Sequence, residues 1–393
     1  MVAFPRMKTI FIVAMGDSIH TARWLSQFKD QQLSVLVFPS GPHRRIHPLL
    51  RDLVVGNQVM EVDVAPMMKA SSLPLYIADK MLPFGLRARY LRFLIKRRTP
   101  IIVHALETQH SGYIVSRAIA KLEKKPEFWL SLWGSDLVWF SRFRHHRKKI
   151  RHVLSKVDRL GIECKRDIDI ARSFGFVGEI LPIVPASGGM DLSETQTPND
   201  FLAPSKRKKI VVKGYSGFVG RAPMALRALE MLAGQVMEYD VHIYSASAKT
   251  ARLARRLAKK TGINFIIHLK HSLSHREVLS LFQEARLSIS ISLSDGFPGS
   301  LREAMVSGCF PVESLNSCGS EWAIQDESAI FVDPQNVAAV ADAISHVLND
   351  DMLVDRAAKT NWELARSRYS TSSVKEIVDS YYLDPSNNDS ATR

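Results

Sequence analysis

The feature that most constrains the fold is a regular alternation of short apolar runs with stretches of helical spacing, which continues along almost the whole chain. In the first half, strands are predicted at Lys8–Ala14, Leu33–Phe38, Pro100–His104, Glu127–Leu132 and Asp158–Ile162. Helical patterns separate these runs. Because strands joined by crossover helices lie parallel, this order predicts a parallel sheet that is covered by helices on both faces.

A change of composition divides the chain into two such series. Glycines, small polar residues and prolines, followed by four consecutive basic residues, occupy Ser187–Lys209 and are typical of a linker. The strands predicted after this segment are Ile210–Lys213, Val241–Ser245, Asn264–His268 and Leu287–Leu293. The chain of 393 residues is long enough for two domains of ordinary size.

We therefore predict an α/β fold of two Rossmann-like parallel-sheet domains that face each other across a cleft. Ligands bind at the carboxyl ends of the strands in such sheets, which makes the cleft the expected active site. The predicted boundaries are residues 1–187 for the N-terminal domain, 188–209 for the linker, 210–370 for the C-terminal domain, 371–383 for a helix that packs back on the N-terminal domain, and 384–393 for a disordered tail.

The net charge of +14 is unevenly distributed along the chain. Residues 1–190 contain 30 Lys and Arg against 15 Asp and Glu, whereas the remainder contains 23 basic and 24 acidic residues. The whole excess of positive charge therefore lies in the first half. This asymmetry indicates an anionic partner for that half, which is nucleic acid, an acidic membrane surface or an anionic substrate.

Composition also bears on the compartment. No apolar run approaches the ~20 residues that a membrane-spanning helix needs, and Ile10–Ala14 is too short for a signal peptide. The three cysteines, Cys164, Cys309 and Cys318, are far apart and have no metal-binding spacing. Such sparse cysteines favour a reducing compartment. We expect a cytoplasmic protein.

The segment Asp295–Glu303, with the sequence DGFPGSLRE, combines the features of a ligand-binding turn. It follows a predicted strand, and Pro298 suits the first turn of a helix that ends near Gly308. Gly296 and Gly299 allow a ligand to approach the backbone, and free N–H groups at the helix start can bind a diphosphate. The two terminal carboxylates can accept hydrogen bonds from sugar hydroxyls. The alternative is an ordinary strand–turn–helix unit with a capping aspartate and a solvent-facing glutamate.

This segment resembles the signature of glycosyltransferase family 4, which comprises retaining enzymes of the GT-B fold. The signature has two glutamates separated by seven residues, in the form EGFG…EAMACG-PVV. The chain matches it from Asp295 to Val312, with Asp295 in place of the first glutamate. Further matches, in the order of the family, are Ser131–Asp136, Asp158–Cys164, Pro185–Asp191, Gly220–Arg221 and Val332–Leu348. The resemblance extends over nearly the whole chain.

The resemblance implies a nucleotide-sugar donor site in the second domain. Arg221 would bind the donor phosphates, and Arg227 stands where the family has a lysine. The residues implied in catalysis are His110, Asp295 and Glu303. The residues implied in donor and phosphate binding are Gly220, Arg221, Arg227, Gly296, Phe297, Pro298, Gly299, Ser300 and Leu301.

The resemblance also implies an acceptor side in the first domain. The turn after the first strand is similar to the glycine-rich acceptor loop of the family, although it has a single glycine. The residues implied there are Gly16, Ser18, His20, Gly134 and Asp136. The segment Val103–Gly112 resembles VHAHDWHAG. Within it His104 is interpreted as a core residue, and His110 as the site histidine, with a core or capping role as the alternative.

The implied activity is transfer of a sugar, with retention of anomeric configuration, to a saccharide or lipid-linked saccharide in the synthesis of cell-surface polysaccharide or lipopolysaccharide. No D-x-D motif of the kind that holds a metal ion against a diphosphate stands at a strand end. Arginines and the helix start can neutralise the leaving diphosphate instead. We therefore expect neither an essential metal nor a cofactor.

Two basic segments of the first half also contain bulky apolar residues. They are Leu82–Arg98 and Ser141–Lys156. Amphipathic basic helices bind anionic lipid surfaces, so these segments predict peripheral attachment to the inner face of the plasma membrane. The alternative is that both are packed helices with a solvated basic face.

Four other functions are weighed against glycosyl transfer. Nucleic-acid binding lacks a supporting motif, and a dehydrogenase is disfavoured because no G-x-G-x-x-G follows the first strand. Sugar-nucleotide epimerases of the same fold lack the combination of Gly220–Arg221 with the x7-Glu motif. A catalytically impaired relative that acts as a nucleotide-sugar-binding or accessory subunit remains the main alternative, because Asp295 and Leu106 depart from the family pattern.

Overall fold

A computed structural model describes residues 8–28, 33–55, 61–82, 85–200 and 202–383. The chain forms two compact units. The first contains the chain up to Gly189 together with the residues from Thr371 onward, and the second is Met190–Ser370. The tail predicted at 384–393 lies outside the described residues. Within the described ranges, no helix is both long enough and apolar enough to cross a membrane.

The first unit is built on a seven-stranded parallel sheet in the order β3-β2-β1-β4-β5-β6-β7. Its strands are β1 (Lys8–Ala14), β2 (Leu33–Pro39), β3 (Glu61–Val64), β4 (Ile102–Leu106), β5 (Glu127–Ser131), β6 (Arg159–Gly161) and β7 (Glu179–Ile180). Its first eight helices are α1 (Ile19–Ser26), α2 (Pro48–Val55), α3 (Leu73–Met81), α4 (Leu86–Arg98), α5 (Tyr113–Ile119), α6 (Ser135–Val138), α7 (Arg144–Leu154) and α8 (Arg166–Ser173). The strand order reverses between β1 and β4, where sheets of this kind usually bind ligands.

The second unit has a six-stranded parallel sheet in the order β10-β9-β8-β11-β12-β13. Its strands are β8 (Lys209–Lys213), β9 (Asp240–Ala246), β10 (Asn264–Leu269), β11 (Leu287–Ser290), β12 (Phe310–Ser314) and β13 (Ile330–Val332). Its helices are α9 (Ala222–Met231), α10 (Ala233–Val236), α11 (Ala248–Thr261), α12 (His275–Gln283), α13 (Gly299–Val306), α14 (Val337–Asn349) and α15 (Asp351–Arg368). The two sheets confirm the predicted fold class.

Strand β11 differs from its prediction in length and in burial. It ends at Ser290 rather than at Leu293, because the following residues bond to the loop before α9: Ser292 forms an antiparallel bridge with Gly220. Ser288 and Ser290 are buried, as Ile289 is. The alternation of leucine or isoleucine with serine therefore belongs to a central strand that is covered on both faces.

The last helix, α16 (Thr371–Leu383), belongs to the first unit. The hydroxyl of Tyr382 lies 2.6 Å from Nδ1 of His104 on β4, and Oγ of Ser131 lies 2.8 Å from Nε2 of the same ring. The indole N–H of Trp24 donates to the Tyr382 hydroxyl. Burial lowers the pKa of His104 to about 3, so its imidazole is neutral. The structure thus confirms His104 as a core residue.

The segment predicted as a linker, 188–209, starts at the boundary between the units. After Gly189 it lies in the second unit, where it includes two short 3-10 turns, Leu192–Glu194 and Pro204–Lys206. Ser205 is bound to α15 through Asp355, whose carboxylate accepts from both the backbone N–H and the hydroxyl of Ser205. The end of this segment is therefore fastened to the second unit.

Candidate active site

The candidate donor segment joins β11 to α13. Helix α13 begins at Gly299, with Pro298 as its N-cap, and Gly308 just beyond its end has a left-handed φ of 65°. This agrees with the helix start and end predicted from the sequence. N–H groups in the first turn of a helix have no acceptor within the helix and carry the positive end of its dipole. The backbone of Gly299, Ser300 and Leu301 is therefore suited to bind an anion.

Asp295, the first residue of the donor segment, is held by two contacts. Its Oδ1 accepts a hydrogen bond of 3.0 Å from the backbone N–H of Gly296, and its Oδ2 lies 3.7 Å from Nζ of Lys213. Lys213 is the last residue of β8, and its side chain is 19% exposed. The sequence alone did not identify this lysine. The Asp295 carboxylate thus has a cationic partner of its own.

Lys213 also belongs to a buried polar cluster beneath α13. Its Nζ lies 3.5 Å from Oγ of Ser300, which in turn is 3.1 Å from Oε1 of Glu313 on β12. Burial raises the pKa of Glu313 to about 8, although the Lys213 ammonium opposes the rise. Burial alone would lower the pKa of Lys213, but the charges of Asp295 and Glu313 outweigh it and the pKa is raised. Near pH 7 the lysine is therefore charged while Glu313 is mostly protonated.

Glu303, the last residue of the donor segment, lies on α13 with its side chain 17% exposed. Its Oε1 is 3.5 Å from Nδ1 of His275, the first residue of α12. The solvent-facing position considered as an alternative is therefore wrong, because α12 partly covers the carboxylate. Both predicted donor carboxylates have a basic side chain within 4 Å.

Phe297 anchors the donor segment rather than facing a ligand. Its ring is buried and stacks on Trp322 with centroids 4.3 Å apart and planes inclined by 6°. Tyr369 meets the edge of the same ring at 5.1 Å. The aromatic cluster holds the turn whose backbone includes Gly296 and Gly299.

Gly220 and Arg221 lie beside the strand end that leads to the donor segment. The N–H of Arg221 donates to the carbonyl of Ile291 at 2.8 Å. A Cβ on Gly220 would stand 2.6 Å from the carbonyl oxygen of Tyr215, so only glycine fits there. The guanidinium of Arg221 donates to the carbonyls of Gly217 and Gly220. Arg221 is therefore positioned by its own loop, next to β11.

Arg227 occupies a different position, in the interior of α9, where its side chain is exposed. It lines the same cavity as Arg221, and no residue of Asp295–Glu303 lines that cavity. The structure thus brings the two arginines together. Gly299, at the start of α13, does not line the cavity that contains Arg227.

The implied acceptor-side residues meet at one edge of the first unit's sheet, because β1, β4 and β5 are neighbours and the residues follow their carboxyl ends. Ser18 is the N-cap of α1 and accepts from the N–H of His20. The His20 ring lies 5.6 Å from that of Trp133, next to Gly134, in an edge-to-face contact. Gly16, the glycine of this loop, packs against His43. The predicted loops therefore contact one another.

His110 lies in a π-helical turn after β4, Thr108–Gly112, and its side chain is exposed. Glu107, which the sequence did not single out, accepts hydrogen bonds from the N–H groups of His110 and Ser111 and has an unusual φ of 79°. Asp136, after β5, accepts from the N–H and hydroxyl of Thr108. Burial, together with the charge of Glu107, raises the pKa of Asp136. Two carboxylates thus fix the turn that carries His110.

Two family models match the chain, one for each unit. The model described as "Glycosyl transferases group 1" matches residues 193–363, and "Glycosyl transferase 4-like" matches residues 9–162. No curated protein matches the sequence significantly.

Solved structures share the fold over nearly the whole chain. Sucrose-phosphate synthase from Thermosynechococcus elongatus is 12% identical with a TM-score of 0.69, and the match covers 95% of this chain and 98% of the synthase. Anabaena HepE with UDP-glucose is 11% identical with a TM-score of 0.67, over 95% of this chain and 99% of HepE. TarM of S. aureus, as a variant in complex with fondaparinux, alpha-GlcNAc-glycerol and UDP, is 12% identical with a TM-score of 0.69, over 96% of this chain and 100% of TarM.

At these identities the structural likeness defines the fold, which is GT-B. Together with the two family models, it makes the protein a glycosyltransferase. The chain belongs to the group 1 glycosyltransferases of the family 4 type.

Proposed function

We propose that this glycosyltransferase transfers a sugar from a nucleotide sugar to a saccharide or lipid-linked saccharide, with retention of configuration and without a metal ion. The observation that supports this proposal is the donor segment, in which the first turn of α13 is bracketed by Asp295 and Glu303. The N–H groups of this turn bind the diphosphate, and the two carboxylates accept hydrogen bonds from sugar hydroxyls.

Catalysis in this proposal rests on stabilising the charge that develops on the leaving diphosphate. Arg221 and the positive end of the α13 dipole act on that charge. The acceptor attacks an oxocarbenium-like transition state on the leaving-group face, and the leaving diphosphate takes the acceptor's proton. His110, on the turn fixed by Glu107 and Asp136, hydrogen-bonds the donor sugar or the acceptor. Synthesis of cell-surface polysaccharide or lipopolysaccharide is the proposed setting.

The ligands of similar structures indicate which donors to test first. HepE was solved with UDP-glucose, and TarM with UDP and a GlcNAc-glycerol. UDP-sugars are therefore the first donors in the experiment.

In a screen of nucleotide sugars by differential scanning fluorimetry, the true donor is expected to raise the melting temperature. Binding to the native state alone adds about 2.7 kcal/mol at one hundred times the Kd, which corresponds to about 5 °C. Arg221→Ala should lose most of this shift, whereas Arg255→Ala, on the surface of α11, should retain it. An equal shift for wild type and Arg221→Ala would contradict the assigned phosphate contact.

The second candidate function is a catalytically impaired subunit that binds nucleotide sugars without transferring them. It is favoured by Asp295, which is one methylene shorter than the family glutamate and already contacts Lys213. This function predicts a melting shift without product. Transfer assays with the donor found in the screen distinguish it from the enzyme.

Peripheral attachment to the inner face of a membrane is proposed for the first unit, in the cytoplasm. Helices α4 and α7 both contact α5. Each has an exposed phenylalanine on it or beside it, Phe93 on α4 and Phe143 just before α7. The exposed cations Arg144 and Lys148 lie one helical turn apart on α7. Exposed phenylalanines beside cations are suited to an anionic lipid surface.

Flotation with phosphatidylglycerol vesicles at low salt tests this attachment. The wild type is expected to float, and Arg144→Glu/Lys148→Glu to bind at least about tenfold more weakly, since each cation contributes about 1 kcal/mol near the surface. The matched control is Arg255→Glu/Lys259→Glu, which makes the same change of charge on α11. Equal weakening by both pairs, or a wild type that does not float, would refute attachment through α7.

A further inference from the structure

A cavity of about 870 Å³ lies in the second unit between α9 and α11. Its cationic lining residues are Arg221, Arg227, Lys249, Arg252 and Arg256. No carboxylate lines it. Cavities of this size hold sugar-phosphate or nucleotide-sized ligands.

The cations come from both walls of the cavity. On α11, Lys249, Arg252 and Arg256 are separated by three and four residues, so they share one face of the helix. Arg227 and Arg221 face them from α9 and its N-cap. Within the described residues, none of the five lies within 4 Å of a carboxylate oxygen in an ion pair. Arg227, Lys249, Arg252 and Arg256 are exposed, so water and salt screen part of their mutual repulsion, and a bound anion would lower it further.

This concentration of charge is local. The chain after residue 190 contains 23 basic and 24 acidic residues, so the cavity stands out against a balanced background. A general attraction for polyanions does not produce this distribution, because such binding uses an extended basic surface. The distribution fits a ligand that is confined to the cavity.

The remaining lining residues define the chemistry further. Ser247, the N-cap of α11, and Ser216 supply hydroxyls at the end where both helices begin. Pro223, Met224 and Leu253 supply apolar surface. The cavity therefore has hydrogen-bond donors for phosphate oxygens and an apolar patch for the body of a small molecule.

We propose that this cavity is a second anion site, which binds a soluble phosphorylated small molecule separately from the helix start of α13. Arg227, implied by resemblance as a donor-phosphate ligand, belongs to this second site, because no residue of Asp295–Glu303 reaches the cavity. A planar bilayer does not enter a groove between two helices. Arg221, which the proposed function assigns to the donor diphosphate, also lines this cavity, so the second site rests on Arg227, Lys249, Arg252 and Arg256.

Isothermal titration with inorganic pyrophosphate at low ionic strength tests the site, with no sugar donor or acceptor present. The wild type is expected to bind, and Arg252→Glu/Arg256→Glu to bind at least about tenfold more weakly, because two attractive charges become repulsive. Arg252→Gln/Arg256→Gln removes the two charges without reversing them, and should weaken binding in the same direction but by less. Circular dichroism of each variant reports whether α11 is intact.

The matched control is Arg255→Glu/Lys259→Glu, which reverses two exposed charges on the same helix outside the cavity. It is expected to keep the wild-type affinity within about threefold, the effect of long-range charge alone. If both pairs weaken pyrophosphate equally, or if the cavity variants bind as the wild type does, the proposal is overturned. Because pyrophosphate can also bind the diphosphate site proposed at α13, the cavity is tested by the difference between the two pairs of variants, and loss of transfer in a separate assay would not change that difference.

Discussion

Replacing Glu303 by glutamine is expected to lower kcat of sugar transfer by about a thousandfold, because a preorganised charge at the reacting sugar is lost. The carboxylate lies on the first turns of α13, 3.5 Å from His275 and partly covered by α12. The amide keeps the size of the side chain, which is 17% exposed, so the free energy of unfolding should change by about 1 kcal/mol, the centre of the range for single substitutions. Initial-rate kinetics and urea unfolding measure the two quantities.

Two companion variants sharpen this experiment. Glu327→Gln, an exposed glutamate in the loop between β12 and β13, is expected to leave transfer unchanged. Asp295→Glu restores the family residue and should retain activity if Asp295 is a working variant of the motif. Wild-type turnover by Glu303→Gln would remove Glu303 from the donor site.

Replacing Lys213 by methionine is expected to make the protein progressively less stable above pH 8. In the wild type the folded pKa of Glu313, about 8, lies above its unfolded value. The folded state therefore binds the extra proton, and stability falls as pH rises from about 4 to 8 and then levels off. Without the ammonium the folded pKa rises further, so the fall continues past pH 8, by about 1.4 kcal/mol per pH unit. Urea unfolding at about pH 7.5, 8.5 and 9.5, each about a unit apart, measures the difference.

The double variant Lys213→Met/Glu313→Gln is the control for this prediction. Glutamine does not titrate, so the additional loss above pH 8 should disappear. A similar pH profile for Lys213→Met and the double variant would mean that Glu313 does not sense Lys213, despite the bridge through Ser300.

Structural features that depend on residues close together in the sequence could be predicted. The strands around β1 and the start of α13 depend on apolar runs, a proline and glycines within a few residues of one another. The burial of His104 followed from its place inside an apolar strand. The family resemblance then identified the class of enzyme, because the motif from Asp295 to Glu303 also lies within one short segment of the chain.

The polar clusters could not be predicted, because each joins residues from separate strands. Lys213 ends β8, Glu313 lies on β12, and Asp295 follows β11. A charge inside an otherwise apolar strand is the signal that could have found the first two, since such a charge is buried only with a partner. The role of Glu107 in the turn could not be predicted without its positive φ and the presence of Asp136, which lies 29 residues further along the chain. The position of Arg227 deep in α9 depended on where that helix begins.

The placement of α16 has a consequence for how the chain is made. Because Thr371–Leu383 completes the first unit, the core around His104 and Trp24 lacks the ring of Tyr382 until synthesis has passed the whole of the second unit. The second unit, Met190–Ser370, is continuous and contains all its elements earlier. Domains usually mature in the order of their synthesis. Here the first unit leaves the ribosome first but is completed after the second, so termination at Ser370 leaves the first unit without α16 while the second unit is whole.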